Sequence, residues 1–463
     1  MGRPTTRLHV SGYRFLTRRM SHALVRGDLR MIDDPLRAQS IALAAGIVLA
    51  AVALAGCAVL ALLRPQPGLA DAAIVAERGT GALYVRIGDT LHPVPNLTSA
   101  RLIVGSAEEP RTVDPAALAS AARGPLVGIP GAPATVAPPL VASEAAWTVC
   151  DTEVATTVLV GPGPAGALAA DAAVLVHPRS EGPATTYLLH GGRRYAVDLR
   201  DIAVVRALHL DGVRPRPVSR TLLDALPENP PLTAPSVPGA GKPGALAGHP
   251  VGAVVTVSRA GAGEYYVVLA DGVQRIGELT ADLIRFTVPQ RGRDIPTVAA
   301  DAVAAAGITD FLPVDTHPAR VTVADPRTLC AHWTTDGAGA VHTAVLDGAD
   351  MLRDASGIVE LAQADGAGPA VDAVRIPHGR SVHVRPVSVT GGGGDAQPRY
   401  LVSGLGVLYG LAGDDTAQRL GLRAPPLPAP WPVLARLPRG PELSRAAASV
   451  VRDVVEPAPR PAR

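Results

Sequence analysis

The residues that could do covalent chemistry in this chain are few. Of three cysteines, Cys150 ends the run Trp147-Thr-Val-Cys150 before Asp151, and Cys330 opens the run Cys330-Ala-His-Trp333. One tryptophan stands three residues before its cysteine and the other three residues after, so the two contexts mirror each other. An even pair of thiols suits a disulfide wherever the compartment is oxidising. The expectation is a bond between Cys150 and Cys330 packed against the indole of Trp147, Trp333 or both. Closing so long a loop would stabilise the fold by roughly 4–5 kcal/mol in the chain-entropy model. The third thiol, Cys57, ends Leu54-Ala-Gly-Cys57, which spells a bacterial lipoprotein cleavage box. That box lies inside a long apolar run and follows an n-region far longer than a signal peptide's, so the expectation is an uncut chain.

Catalytic motifs are missing. There is no H-E-x-x-H, C-x-x-C or G-x-S-x-G, and the twelve histidines are scattered without ligand spacing. The expectation is no catalytic residue, no metal and no cofactor. Two glycine-rich stretches touch the alternative, ATP. Residues 161–166 fit G-x-G-x-x-G, with Glu181 at the distance of a ribose-binding acid. Pro162 and Pro164 remove backbone donors there, and the apolar stretch that follows is too short for a crossover helix, so the stretch reads as a loop. Residues 239–244 hold Lys242, the only lysine, but Pro243 stands where a phosphate-binding loop needs Ser or Thr, so this reads as linker.

The elements that position these residues are set by residues 41–63, which are all Ala, Val, Ile, Leu, Gly or Cys. As a helix they span roughly 35 Å against a hydrocarbon core of about 30 Å. No other run comes close to spanning, so one pass is expected. Ahead of it, residues 1–40 carry eight Arg and three Asp, a net of +5, whereas the rest of the chain carries −3. The positive-inside rule places the N-terminus in the cytoplasm and the large part outside. The outer part has no basic patch, which excludes nucleic acid as a partner. Small residues such as Ala45 and Gly46 would let neighbouring membrane helices approach closely. Asp34 and Pro35 read as N-cap and first turn of this helix.

Residues 11–26 read as an amphipathic helix. Tyr13, Leu16, Met20 and Leu24 fall on one face, with Arg14, Arg18 and Arg19 on much of the remainder. This is a docking element for anionic headgroups or for a cytoplasmic partner.

Beyond the membrane run, four stretches start at Tyr84, Tyr187, Tyr266 and Tyr400, half of the eight tyrosines. Each reads as a short strand, a Gly- or Asp-bearing turn, a second strand, and a helix start about a dozen residues on. Their spacings of 103, 79 and 134 exclude a solenoid. Strand-like runs between them, at 125–129, 147–150, 155–160, 319–323, 340–345 and 381–389, read as a central sheet. The fold class is therefore α+β: one N-terminal membrane helix, then a body with a central β-sheet and four hairpin-plus-helix modules. The expected segments are a cytoplasmic 1–40, a membrane 41–63, modules at 64–120, 181–226, 251–312 and 395–424, and core parts at 121–180 and 313–394. A Pro/Gly linker fills 227–250, and a proline-rich tail fills 425–463.

The block T-R-L-H-V-S-G-Y-R-F-L-T-R-R-M and its continuation to Arg37 resembles the opening of EccB, membrane component B of the ESX, or type VII, secretion system of mycobacteria and related actinobacteria. The W-x-x-C-D and C-x-x-W pair, the four scattered stretches and W-P-x-L-x-x-L-P-x-G-P-x-L at 431–443 also resemble that family. The resemblance implies an inner-membrane protein with an elongated periplasmic body, multimeric within a complex with EccC, EccD, EccE and the MycP protease. The complex exports WXG100-type and, in some systems, PE/PPE substrates. The repeats of the family are similar to a phage cell-wall-binding domain, which implies peptidoglycan contact, and some members are described as ATPases. Three functions follow as expectations: a structural assembly subunit, an ATP hydrolase, or a peptidoglycan-binding anchor.

Overall fold

The computed structural model describes residues 6–27, 35–63, 72–162, 166–179, 184–259, 262–288, 290, 294–336, 338–353, 356–393, 397–413 and 415–454. The chain separates into two compact units, Met1–Asp71 and Ala72–Arg463.

The first unit holds two helices. Helix Arg7–Arg26 begins a turn before the periodic stretch and ends on Gly27, whose φ of 66° lets its N–H return to the Ala23 carbonyl. Helix Pro35–Leu63 starts on the proline, as a first-turn residue whose missing N–H is no loss. The expected cap Asp34 lies outside the described residues. Its segment Gln39–Leu60 has a mean hydropathy of 2.6 and no part of it is buried.

In the second unit, four sheets share one order of connection. The first runs Ile74–Glu77, Leu83–Ile87, Thr90–Val94 as an antiparallel meander, followed by helix Leu97–Val104. The chain then returns as Arg111–Val113, parallel to the first strand, and after helix Pro115–Ala119 as Ala122–Arg123, parallel to the third. The second sheet repeats this order with Ala172–Pro178, Thr186–His190 and Arg193–Val197, helix Ile202–Ala207, and the parallel returns Arg216–Val218 and Glu228–Asn229. The third uses Val254–Arg259, Ala262–Val268 and Val273–Ile276, helix Glu278–Thr287, and single parallel bridges at Thr297 and Ile308. The fourth uses Val382–Val387, Arg399–Val402 and Leu408–Leu411, helix Thr416–Arg419, the parallel strand Leu427–Pro430, and bridges at Arg439 and Leu443. Tyr84, Tyr187, Tyr266 and Tyr400 each stand in the middle strand opposite a valine of the first: Val75, Val176, Val255 and Val384. Two of these four helices are capped by turn-forming side chains. Asn96 accepts from the Ser99 N–H at 2.8 Å, and Asp201 from the N–H groups of Ala203 and Val204.

A fifth sheet carries the cysteines. Its order is Val341–Asp347, Leu329–Thr335, Ala146–Asp151, Thr156–Gly161, Ala373–Arg375, Ile358–Glu360. Residues 146–151 and 329–335 are antiparallel neighbours, with Cys150 directly opposite Cys330 and Trp147 directly opposite Trp333. Several expectations are corrected here. The run at 125–129 pairs with the tail instead of the central sheet, 319–323 adds to the second sheet, and 381–389 opens the fourth. Residues 358–360 and 373–375 complete one edge of this sheet and are not revealed by periodicity, because each is only three residues long. The expected linker 227–250 is packed: Leu232 is fully buried in the core of the second sheet and Leu246 in that of the third. The first strand of the fourth sheet, Val382–Val387, precedes the tyrosine and falls within the stretch expected as core, 313–394.

The tail is strapped down. Helix Arg445–Ala448 packs against helix Leu97–Val104, and Val451–Arg452 pairs with Leu126–Val127. Apolar side chains of the first and fourth sheets, with Ala448, form one core. A larger core joins the central, second and fourth sheets, and a third joins the second sheet to helix Glu278–Thr287.

The Cys150–Cys330 bond is closed and both residues are fully buried. Trp147 and Trp333 do not pack on it. Side chains alternate across a strand, so a spacing of three puts indole and sulfur on opposite faces. The indoles enter the large core, whereas the cysteines cluster with Leu159 and Leu346. What lies over the disulfide is Gly348, where a Cβ would sit 2.1 Å from Cys330 Sγ and 3.4 Å from Cys150 Sγ. Gly348→Ala should therefore expose free thiol on denaturation, or lower the midpoint of thermal unfolding by several degrees. A melt and thiol titration matching the parent would show the strand end yields freely.

Candidate functional site

The last residue of the W-T-V-C-D run is a carboxylate on the apolar side of the central sheet. Asp151 shares the face of Trp147 and Val149 and is fully buried. A buried charge needs partners. The Ser219 backbone N–H and hydroxyl both donate to it, the latter at 3.0 Å, and the Arg179 guanidinium lies 4.0 Å away. Arg179 also donates to the Thr156 hydroxyl at 3.3 Å and to the Thr152 carbonyl. Ser219 Oγ in turn accepts from the Leu222 N–H at 3.1 Å, capping helix Arg220–Asp224. Arg179 and Ser219 follow two parallel neighbours of the second sheet, so both arrive from one end of it. Burial pushes the Asp151 carboxyl up, opposed by Ser219 and then Arg179. A second buried carboxylate, Asp372, accepts from the N–H groups of Thr156, Asp365 and Gly366 at 2.6, 2.8 and 2.6 Å. The arrangement clamps the strand Thr156–Gly161 from both sides and locks the second sheet to the central one. Of its members, sequence reasoning singled out only Asp151, and only as a motif letter. A charged residue ending a strand of otherwise uncharged side chains was the available signal.

The two indoles differ. Trp333 Nε1 donates to the Val389 carbonyl at 2.9 Å, whereas Trp147 Nε1 is buried with no partner among the described residues. Tyr400 stacks against Trp431 with ring centroids 5.9 Å apart, and Arg439 lies 5.4 Å over the Trp431 ring, so the terminal W-P motif is held by the fourth sheet.

Among the described residues neither glycine-rich stretch opens directly into a helix. Strand Thr156–Gly161 leads to another strand, Ala172–Pro178, and no helix opens between the described residues; residues 163–165 and Glu181 lie outside them. Residues 239–244 form turns, with Pro243 bridged to Pro250. Among the described residues no group of three or more His, Cys, Asp and Glu could hold a metal.

The residues expected to dock on a membrane or partner sit on exposed helix surface. Tyr13, Leu16, Met20 and Leu24 are 74, 58, 66 and 85% exposed, and Arg14, Arg18 and Arg19 are exposed with them. Ala45 and Gly46 face open space on helix Pro35–Leu63, and a Cβ at Gly46 would meet nothing within 4 Å.

Burial disfavours the charged form of three histidines in the second unit. Burial pushes His317, His332 and His383 down, and they bond the Thr280 hydroxyl, the Thr148 hydroxyl and the Ala424 carbonyl respectively. A depressed folded pKa means the unfolded chain binds more protons below about pH 6.5. Their contribution is complete above that pH and is lost as pH falls. The urea midpoint should drop between pH 7.5 and 5.5, and His332→Gln with His317→Gln should flatten the drop. Asp151→Ala should cost about 3–5 kcal/mol, since it strands Arg179 buried beside an unanswered Ser219 N–H; equilibrium unfolding measures it.

Comparison with known proteins places these features. The family described as type VII secretion system ESX-1, transport TM domain B, matches residues 2–457. The protein named ESX-3 secretion system ATPase EccB3 of Mycolicibacterium smegmatis is 40% identical over 483 residues, covering 99% of this chain and 93% of that protein. A chain in the structure of an intact ESX-5 inner membrane complex superposes with a TM-score of 0.72 at 32% identity, covering 100% of this chain and 98% of that one. A chain in the structure of the EccB3 dimer from the ESX-3 core complex does so with a TM-score of 0.70 at 36% identity, covering 82% of this chain and 100% of that one.

Proposed function

The chain belongs to the EccB family, the B component of the inner membrane complex of type VII (ESX) secretion, and on that footing we propose that it acts as the structural subunit that carries the complex into the periplasm. Helix Pro35–Leu63 crosses the inner membrane once, the Arg-rich helix lies on the cytoplasmic side, and the unit Ala72–Arg463 lies on the periplasmic side. The observation that carries this reading is the way the second unit is built. Four sheets of one connection order are merged through shared cores around a disulfide-bonded sheet, which supports a load-carrying body. The four sheets are copies of one module, larger than a hairpin plus helix, because each includes an earlier strand and two parallel returns. The partners are EccC, EccD and EccE, with further copies of the same chain, which the dimer formed by a relative supports.

One observation favours a second reading: the name of the 40% identical relative includes ATPase. ATP hydrolysis by the purified chain, abolished by a point substitution, would support it.

The experiment is purification in mild detergent through a C-terminal tag. EccC, EccD and EccE should co-purify. A variant carrying Ala45→Leu and Gly46→Leu should insert normally yet recover several-fold less of them, because its helix surface no longer allows close approach. A lone monomer from the parent chain would overturn the assembly role, and full recovery with the variant would reduce the helix to an anchor.

A further inference from the structure

The third sheet holds its last parallel return with a side chain in place of a strand. The Val273 N–H donates to the Gly307 carbonyl at 2.8 Å, and the Thr309 N–H to the Val273 carbonyl at 2.9 Å. Beyond that single bridge the buried Gln274 amide takes over. Its oxygen accepts from the Phe311 and Leu312 N–H groups at 3.0 and 2.7 Å. Its nitrogen donates to Asp310 Oδ1 and the Leu312 carbonyl at 3.0 and 2.9 Å. The amide thus makes two bonds as acceptor and two as donor, its ordinary complement. Leu312 and Val314 enter the core of this sheet, whereas Ile308 and Phe311 are 69 and 65% exposed. The matching returns of the other sheets carry Ala122 and Arg123, Glu228 and Asn229, and Arg439. Only the third sheet offers large apolar side chains there. An aromatic ring held in place before binding gives contact area at little entropic cost.

The charge beside this pair is of one sign. Asp310 and Asp315 flank Phe311 in the chain, and the turn at Asp271 abuts the same loop, since a Cβ on Gly272 would lie 2.6 Å from Thr309 Cγ2. All three carboxylates are exposed. From 294 to 319 there are four aspartates and no arginine or lysine. Arg275, on the strand beside the loop, pairs with Glu264 at 3.2 Å, and Arg320, which follows the loop, pairs with Glu278 at 2.7 Å. A symmetric contact with a second copy of this chain would set carboxylate against carboxylate. We infer that Ile308 and Phe311, with Asp271, Asp310 and Asp315 beside them, form a docking face for a basic segment of another protein. Arginines or lysines of that segment meet the carboxylates, and an apolar side chain covers the Phe311 ring. The face is additional to the assembly contacts made in the membrane.

The test puts photoreactive p-benzoylphenylalanine in place of Phe311 in the full chain and irradiates intact cells, where the native partners are present. A covalent adduct with another protein should form, attached to a peptide in which arginine and lysine outnumber aspartate and glutamate. Asp271→Asn, Asp310→Asn and Asp315→Asn together should reduce the adduct several-fold. The thermal midpoint of the purified triple variant should match the parent, because an amide oxygen at 310 still accepts from Gln274. Gln274→Ala, which releases the loop, should reduce the adduct with all three carboxylates in place. No adduct, an adduct with a second copy of this chain, an adduct on an acidic peptide, or one that the triple variant leaves unchanged would overturn the proposal. Recovery of the membrane subunits through the C-terminal tag is read separately, so failure here is distinct from failure of the assembly role.

Discussion

Everything in the second unit depends on two strands that meet across 180 residues of chain. The strands bearing Cys150 and Cys330 are antiparallel neighbours, and between them the polypeptide builds the whole second and third sheets. Closing so long a loop carries a large entropic cost, though one that grows slowly with length. The disulfide removes most of that cost from the unfolded chain. The same strands use their two faces for different tasks. One face holds the sulfurs under Gly348; the other holds Trp147, Trp333 and Asp151 against the second and fourth sheets. The covalent bond and the buried ion pair therefore act on a single pair of strands without competing for space.

Much of the strand and turn pattern was visible in residue types. The four tyrosines share a position opposite a valine, and the helix starts fell where Asn96, Asp201, Glu278 and Thr416 stand. Hairpins announce themselves because a tight turn demands special backbone: Gly191 and Gly192 have φ of 56° and 75°, as a two-residue turn of this hand requires. Gly192 has a second reason to be glycine, since a Cβ there would meet the Thr343 carbonyl of the central sheet. The parallel returns were hidden. Glu228–Asn229 and Arg111–Val113 are too short to show a period, and their pairing is decided by distant strands.

Two misreadings have instructive causes. The indoles were expected on the disulfide because tryptophan near cysteine suggests contact, yet an odd spacing in a strand forbids it. The stretch 227–250 looked like linker because it is rich in Pro and Gly, yet isolated leucines within it, Leu232 and Leu246, fill holes in two different cores. Composition describes the average of a segment, while packing is decided by its few apolar residues. The clamp around Asp151 was illegible for a related reason: its members are spread from Thr152 to Ser219, and only the fold brings them together.

The shared core of the first and fourth sheets sets an order of events. A body exported in chain order delivers residues 74–129 to the far side first. Their apolar faces are completed by Leu401, Leu411, Leu443 and Ala448, which arrive last. The first sheet is thus the earliest to emerge and among the latest to finish. Until the last residues are delivered its apolar surface stays open, and completion of the body waits on them.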